Sequence, residues 1–269
     1  MSKRVFQSQS DFTVWNDAMA AKYDLDLFHN HPSRVVRYVE KKRIRRVFAL
    51  LSLRPEHRVV EVGCGAGHLL AQLPLARPFG LDLSESLLHK AKRRLHSHAH
   101  LIQGDAEQLP IQSGAIDRVY CSEVLEHLQD PRKALLELLR VLGPHGVAVV
   151  SVPNERLINR AKSLLRRTGV YSRLIRTDAE SYSMPHRMDD EWHLHSFDRA
   201  MLHCLAPSGF TISRVETIPF KWLPLRYVMR LDAAGRPIPS APARAPHPLL
   251  HRTVLRTLGR LRTLFRVEH

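Results

Sequence analysis

Two glutamates and a histidine lie three and four residues apart in the segment SEVLEHL, residues 122–128, directly after an apolar run. The three residues are Glu123, Glu126 and His127. Carboxylates and an imidazole at this spacing suit proton transfer, binding of a divalent cation, or simple stabilisation of a helix start. Of the three, histidine has the ordinary pKa best suited to proton transfer near neutral pH. The segment alone leaves these three roles open.

A glycine-rich turn is the second chemical feature. The segment EVGCGAG places Gly63, Gly65 and Gly67 at alternate positions between a predicted strand and a predicted helix. Glycine lets the backbone turn tightly and approach a ligand closely, because no Cβ intervenes. The spacing differs from the dinucleotide fingerprint, and the preceding Glu61 would repel a pyrophosphate. We therefore predict a site for a cationic or amine-bearing ligand.

Acidic residues end the next two predicted strands. Asp82 closes the segment PFGLDL, and Asp105 closes HLIQGD. Open α/β sheets bind ligands at the carboxyl edge, where Asp82 is placed to accept hydrogen bonds from ribose hydroxyls. The glycine turn and the two acidic strand ends, taken in this order, predict one shared site.

The elements that must position these residues begin near Arg58, where short apolar runs alternate with helical patterns. The runs are RVVEV (58–62), PFGLDL (78–83), HLIQGD (100–105), IDRVYC (116–121) and VAVVSV (147–152). This alternation predicts β-α-β units and a parallel sheet covered on both faces. A helix should begin at Pro131, with Asp130 as its N-cap, and end at Gly143-Pro144.

Flanking segments are basic. Residues 32–53 predict an amphipathic helix with solvated arginines and lysines, and its buried face should consist of Val35, Val39, Ile44, Val47 and Leu51. Residues 156–176 carry seven basic residues and no acidic one, which indicates an inserted helix. Residues 235–248 form a Pro/Ala-rich linker, and residues 251–267 predict a basic amphipathic helix of the membrane-surface or partner-docking type.

These patterns predict three parts of the chain. An N-terminal helical segment, 1–57, should cover the cofactor and substrate site. The core should span 58–220, with a helical insertion at about 155–192. A basic C-terminal extension, 221–269, should follow.

Composition restricts the partners and the compartment. The 269 residues carry a net charge of +15, which favours an anionic partner such as phospholipid, nucleic acid or an acidic substrate. Cys64, Cys121 and Cys204 are few and widely spaced, so they predict a reducing compartment without a zinc or disulfide framework. With no signal-peptide pattern and no apolar run of about 20 residues, we expect a cytoplasmic protein, with peripheral contact at the inner face of the membrane left open.

Five segments together resemble the class I S-adenosylmethionine-dependent methyltransferases, within the broad group that includes the quinone-pathway methyltransferases. They are VVEVGCGAGHLL (59–70), GLDLS (80–84), GDAEQLP (104–110), the long stretch from DRVYCSEVLEHL to SVPN (117–154) and HLHSFDRAMLHCLAPSGF (193–210). The resemblance implies a Rossmann-like α/β fold with a seven-stranded, mostly parallel sheet and helices on both faces. It also implies S-adenosyl-L-methionine as cofactor.

The resemblance assigns cofactor contacts to individual residues. Glu61 and residues 63–67, which include Cys64, would line the methionine part. Asp82, with Leu83 beside it, would hold the ribose, and Asp105 with Ala106 the adenine. Cys121 would lie near the methionine moiety and the substrate mouth. Tyr23 resembles the N-terminal tyrosine that closes over the cofactor in many such enzymes, and packing explains it equally well.

Some relatives that methylate catechol-type quinone precursors or the terminal ribose of small RNAs carry a Glu-x-x-Glu-His set completed by a downstream histidine. This chain matches that set with Glu123, Glu126 and His127, and offers His193 or His195, of which we favour His195. The resemblance thus implies Mg²⁺ or Mn²⁺ as a second cofactor. Two other interpretations of these residues stay open, a proton-transfer site and a structural cap.

We expect O-methylation of a small or lipid-like acceptor. The alternatives are an RNA-modifying (ribose 2′-O) methyltransferase and a cofactor-binding protein without catalysis. The basic segments lack interleaved aromatic residues that would stack on bases, which disfavours nucleic acid as a partner.

Overall fold

The computed structural model describes residues 6–23, 29, 31–74, 78–169, 171 and 192–234. Within these ranges, seven strands form a single sheet in the order β3-β2-β1-β4-β5-β7-β6. The strands are β1 Val59–Val62, β2 Phe79–Asp82, β3 His100–Gln103, β4 Ile116–Ser122, β5 Leu142–Pro153, β6 Phe210–Phe220 and β7 Leu223–Ala233. Strands β1 to β5 pair in parallel, and β7 is antiparallel to both of its neighbours. The predicted seven-stranded, mostly parallel sheet is confirmed.

Helices pack on both faces of the sheet, as predicted. In the described ranges they are α1 Gln9–Lys22, α2 Arg34–Leu51, α3 Glu85–Leu95, α4 Pro131–Val141, α5 Glu155–Arg167 and α6 Arg199–Leu205, with short 3₁₀ turns at Leu70–Gln72 and Leu125–His127. Leu135 of α4 and Leu202 of α6 belong to the hydrophobic cluster on one face. Val47 of α2 and Leu95 of α3 belong to the cluster on the other face.

Polar caps explain where the helices begin. The side chain of Asp130 accepts hydrogen bonds from the backbone N–H groups of Arg132 and Lys133, as the sequence predicts for the start of α4. Helix α4 ends at Val141. Strand β5 then begins at Leu142, earlier than the predicted residue 147, because the chain extends directly from the helix end.

Helix α2 corrects two expectations. Val35 is 46% exposed and does not join the buried face. Arg43, expected in solvent with the other basic residues, is 3% exposed. Burial is tolerated because Arg43 donates to the carboxylate of Glu40, with Nε 3.0 Å from Oε2.

The predicted core boundary at residue 220 is wrong, since β7 lies inside the sheet between β5 and β6. Arg226 and Arg230 interrupt the apolar alternation of this strand and conceal it in the sequence. Each arginine is paired, Arg226 with Glu123 and Arg230 with Asp232.

Helix α5 occupies the first part of the segment 155–192, whose role as an insertion stays a prediction. Much of the rest of that insertion, the linker 235–248 and the helix predicted at 251–267 lie outside the described residues. No helix among the residues described is long and apolar enough to span a membrane.

Candidate active site

The glycine turn follows β1 at the carboxyl edge of the sheet. The backbone N–H groups of Gly63 and Cys64 donate to the carbonyl of Leu81 in β2, at 2.7 and 2.9 Å. Gly63 has a φ of +75°, and a Cβ at this position would lie 2.3 Å from Cγ2 of Val124. Both the backbone conformation and the space therefore require glycine.

Asp82 at the end of β2 holds the turn from the other side. Its Oδ2 accepts a hydrogen bond from Gly65 N at 2.7 Å, and its Oδ1 accepts one from Ser84 N at 2.9 Å. Burial raises the pKa of Asp82, and the two backbone hydrogen bonds oppose that effect. The carboxylate thus joins the glycine turn to the start of α3, next to Leu83.

Glu61 is buried below the turn, 3% exposed. The hydroxyl of Tyr120 donates to its Oε2 at 3.0 Å. Burial raises the pKa of Glu61 to about 8, although the Tyr120 hydrogen bond and the charge of Arg43 favour the ionised form. In the absence of a further cation, this carboxyl is therefore mostly protonated at neutral pH.

Asp105 meets the N-terminal helix. Its Oδ2 accepts a hydrogen bond from Gln9 Nε2 at 2.9 Å, and its Oδ1 accepts one from Glu107 N at 2.8 Å. Gln129 donates to Gln9 Oε1 at 3.1 Å, so Gln9 connects Asp105 with the segment before α4. The neighbouring Ala106 is buried in the core.

A hydrophobic group that we call the aromatic cap lies over this edge, formed by Phe12, Trp15, Ala20, Tyr23, Leu87 and Trp192. Tyr23 stacks on Trp192, with ring centroids 5.6 Å apart and an interplanar angle of 15°. Leu83 packs against the same group. Helix α1 is thereby joined to the segment that carries His193.

Cys121 differs from the expectation of a place at the substrate mouth. It has no exposed surface and packs in the core cluster with Val60, Val62 and Val119. Burial raises the pKa of its thiol. Its neighbour Tyr120 points to the opposite face of the sheet, toward Glu61, because side chains alternate along β4.

Glu123 and Glu126 separate after β4. Glu123 has a φ of +58°, and its carboxylate accepts hydrogen bonds from Ser151 Oγ at 3.1 Å and Arg226 Nε at 2.7 Å. Glu126 is 1% exposed and lies within the 3₁₀ turn Leu125–His127. The carboxylate of Glu123 is therefore engaged by β5 and β7.

Glu126, His127 and His193 converge, with one ligand atom of each within 4.8 Å of the others. Oε2 of Glu126 is buried without a hydrogen-bond partner among the described residues. Burial and the nearby Glu123 raise the pKa of Glu126 well above its ordinary value. Burial and the nearby His193 lower the pKa of His127 well below its ordinary value. We call these three residues the carboxyl-histidine cluster.

The cluster revises the predicted metal set. The structure brings His193 to Glu126 and His127, and it places Nδ1 of His193 2.8 Å from Oε1 of Glu155. His195 instead lies with Nε2 3.3 Å from the carbonyl oxygen of Gln129. Two imidazoles and one carboxylate fit a divalent cation, and they favour Mn²⁺ over Mg²⁺, which prefers oxygen ligands.

Sequence reasoning missed a buried charged network that joins α2 to strands β4 and β5. Arg43 donates to Glu40 and to the hydroxyls of Ser122 and Ser151. Burial opposes ionisation of Glu40, but the charge and the hydrogen bond of Arg43, together with the charges of Arg226 and His29, outweigh burial and lower the pKa of Glu40 to about 2. The available signal was the i,i+3 spacing of Glu40 and Arg43 within the apolar stripe of α2.

Comparisons with known proteins agree with this architecture. Residues 60–150 match the family model described as a methyltransferase domain. The chain is 38% identical over 113 residues to a trans-aconitate 2-methyltransferase of Deinococcus radiodurans, covering 40% of this chain and 43% of the relative. It is 31% identical over 144 residues to a demethylmenaquinone methyltransferase of Clavibacter sepedonicus, covering 50% of this chain and 59% of that relative.

Among solved structures, the N-methyltransferase NodS of Bradyrhizobium japonicum, in complex with S-adenosyl-L-homocysteine, aligns with a TM-score of 0.57 and 18% identity. The alignment covers 83% of this chain and 99% of that one. The fold is that of the class I methyltransferases, and residues 60–150 match the methyltransferase-domain family model. Residues 60–150 carry that family assignment, and the chain spans less than two thirds of the length of the two curated relatives.

Proposed function

We propose that this protein transfers the methyl group of S-adenosylmethionine to a hydroxyl oxygen of a small or lipid-like acceptor. The observation that carries the proposal is the neighbourhood of two sites at one sheet edge. The glycine turn held by Asp82 lies after β1, and the carboxyl-histidine cluster lies after the adjacent strand β4.

The first site suits the cofactor. Glu61 and residues 63–67 would line its methionine part, Asp82 and Leu83 its ribose, and Asp105 and Ala106 its adenine. A cation near Glu61 would stabilise the ionised carboxylate, and the sulfonium and ammonium groups of S-adenosylmethionine are such cations. Gln9 already donates to Asp105, which supports a role for α1 in covering the adenine end.

The second site suits the acceptor. A methyl group on a sulfonium needs little activation, so the protein must mainly align the acceptor oxygen and remove its proton. Burial and the nearby His193 lower the pKa of His127, so its imidazole is uncharged but a weak base. It would therefore accept the hydroxyl proton only as the oxygen–methyl bond forms and makes that proton acidic, while the sulfonium would become a neutral thioether. Glu126, whose pKa is raised, can donate a hydrogen bond to the acceptor.

A divalent cation is an alternative use of the same three side chains. The unpartnered Oε2 of Glu126 and the nearby imidazoles of His127 and His193 would hold it. Such an ion would supply Lewis-acid activation of an acceptor oxygen.

Methyl transfer from radiolabelled cofactor into a fractionated lysate tests the function. We expect label in the lipid or small-molecule fraction, reduced at least about a hundredfold by His127→Ala. Label in RNA would instead support ribose methylation. Calorimetric titration with S-adenosylhomocysteine is needed if no fraction is labelled. Binding without methyl transfer to any fraction would support a non-catalytic role. No binding would overturn the proposed cofactor site.

A further inference from the structure

Exposed aromatic and basic side chains meet at the β6–β7 hairpin. Residues 220–223 form its tip, where Phe220 is 39% and Trp222 is 77% exposed. The two rings stack, with centroids 5.2 Å apart and an interplanar angle of 5°. Lys221 between them is exposed as well. Large apolar rings at the end of a hairpin cost solvation free energy in water, so the tip is an unusual surface feature.

Helix α2 adds positive charge beside this tip. Lys42 lies over the Phe220 ring, with Nζ 4.8 Å from the centroid, and Tyr38 lies 6.4 Å from the same ring. A groove of about 430 Å³ follows this face of α2, and its lining consists of Tyr38, Lys41, Lys42, Arg45, Arg46 and Ala49. Of its cations, Arg46 is paired with Glu216. Within the described part of the chain, Lys41 and Arg45 form no ion pair.

The tip lies at the same sheet edge as the proposed acceptor site. Strand β7 is antiparallel to β5, and Arg226, a few residues after the tip, pairs with Pro153 at the end of β5. Arg226 also contacts Glu123. Helix α2 connects the two regions, because its Arg43 faces Ser151 while its Lys42 faces the tip.

We infer that residues 220–223 and the basic face of α2 form a docking surface for an anionic phospholipid bilayer. The name used below, the docking surface, means Tyr38, Lys41, Lys42, Arg45, Phe220, Lys221 and Trp222. Lysine and arginine attract the negative lipid surface, and tryptophan and tyrosine partition into the interface between headgroups and acyl chains. The inference rests on the proposed lipid-like acceptor, which would reach the site from the same edge.

The ring geometry favours a bilayer over single-stranded RNA. A base needs an open ring face for stacking. One face of Phe220 is covered by Trp222, and Lys42 lies over the Phe220 ring as well, so only the outer face of the 77% exposed Trp222 is left and successive bases would not find two stacking platforms. Insertion of the ring edges into the headgroup region requires no such opening.

Vesicle flotation of the full-length chain tests the docking surface without cofactor or acceptor. Vesicles of phosphatidylcholine are compared with vesicles that also contain phosphatidylglycerol, at low salt. We expect binding to the anionic vesicles, weakened about tenfold by Trp222→Ala and about tenfold by the pair Lys41→Gln and Arg45→Gln.

Two matched controls keep the test specific. The pair Lys92→Gln and Arg93→Gln removes the same charge from exposed positions on α3, and Leu136→Ala trims an exposed apolar side chain on α4. Both should leave binding within about twofold of the unchanged chain.

The fluorescence of Trp222 reports directly on contact with lipid, because Trp15 and Trp192, the other two of the three tryptophans, are buried. Brominated phosphatidylcholine should therefore quench fluorescence that Trp222→Phe removes.

Absence of binding to anionic vesicles, or binding that Trp222→Ala leaves unchanged, overturns the inference. Binding of single-stranded polyuridine, but not of vesicles, through Trp222 overturns it in favour of RNA. These outcomes are distinct from failure of the proposed function. Vesicle binding without methyl transfer to lipid would retain the docking surface and reject the lipid acceptor.

Discussion

Arg226 Nε lies 2.7 Å from Glu123 Oε2, and this ion pair joins β7 to the segment that follows β4. The side chains are 14% and 20% exposed. Glu123 has a left-handed backbone conformation, and its carboxylate is near enough to Glu126 of the carboxyl-histidine cluster to raise the pKa of that residue. The ion pair also ties the antiparallel end of the sheet to the proposed acceptor site.

Breaking this pair on one side should be costly. Arg226→Met leaves the largely buried carboxylate of Glu123 without the cation that donates a hydrogen bond to it, and we expect a loss of about 2 kcal/mol in the free energy of unfolding. Glu123→Gln combined with Arg226→Met should lose less than the sum of the two single changes. Urea unfolding of the double-mutant cycle measures this coupling.

A more exposed pair in the adjacent strand serves as the control. Arg214 and Glu216 lie 3.2 Å apart, and the arginine side chain is 67% exposed. Arg214→Met should cost less than about 0.5 kcal/mol. Additive losses in the Arg226 cycle would contradict the structural role assigned to the pair.

The glycine turn allows a test that separates backbone strain from steric clash. Gly63 and Gly114 both have positive φ values, of +75° and +71°, but a Cβ would clash with Val124 only at Gly63 and would meet nothing within 4 Å at Gly114. Gly114→Ala should therefore cost about 1 kcal/mol, and Gly63→Ala clearly more. We also expect Gly63→Ala alone to abolish binding of S-adenosylhomocysteine in calorimetry.

Val124→Ala in the Gly63→Ala background should recover part of the lost stability, because it removes the two γ-methyl groups of Val124 that lie nearest to the new Cβ. Equal losses for the two glycine variants would show that clash contributes nothing. Normal cofactor binding by Gly63→Ala would remove the turn from the proposed cofactor site.

Local signals predicted much of the fold. The Asp130-Pro131 start of α4 and the strands before Gly63, Asp82 and Glu123 follow from capping and apolar periodicity, which depend on neighbouring residues. Strand β7 was not predicted, because Arg226 and Arg230 interrupt its apolar pattern. Arg226 pairs with Glu123, which is distant in the sequence, and Arg230 pairs with Asp232 on the same strand.

Only part of the arrangement of the candidate site follows from the sequence. Motif positions predict the glycine turn, Asp82, Asp105 and the Glu126-His127 step as site residues, and their roles stay predictions. The choice between His193 and His195 depends on the path of the chain before α6, where the backbone N–H groups of Leu194 and His195 donate to the carbonyl of Glu126. That contact between segments is not encoded in spacing, and neither is the burial of Arg43 against Ser151.

Glu61 should make stability depend on pH. Its pKa is about 8 in the folded chain against an ordinary value of 4.5. Between these values the folded chain keeps a proton that the unfolded chain releases, so the free energy of unfolding falls as pH rises from about 4.5 to about 8. The slope cannot exceed about 1.4 kcal/mol per pH unit for one group. Glu61→Gln should remove this contribution.

Urea unfolding from acidic to alkaline pH measures the effect as the difference between the unchanged chain and Glu61→Gln, in which other groups largely cancel. Tyr120→Phe removes the hydrogen bond that favours the ionised carboxylate, so it should extend the falling region to higher pH. Parallel pH profiles for the unchanged chain and Glu61→Gln would contradict the raised pKa of Glu61.

Replacing each of the two candidate histidines, His193 and His195, by alanine tests the metal-binding alternative. In electron paramagnetic resonance titrations with Mn²⁺, His193→Ala should weaken binding at least about tenfold, because it removes one of three converging donors. His195→Ala, two residues away and directed toward the carbonyl of Gln129, should change the affinity less than about twofold. Circular dichroism verifies that both variants are folded.

Loss of Mn²⁺ binding in His195→Ala alone would restore the metal-ligand set predicted from the sequence. No Mn²⁺ binding by the unchanged chain would exclude the metal and leave His127 as the proton acceptor.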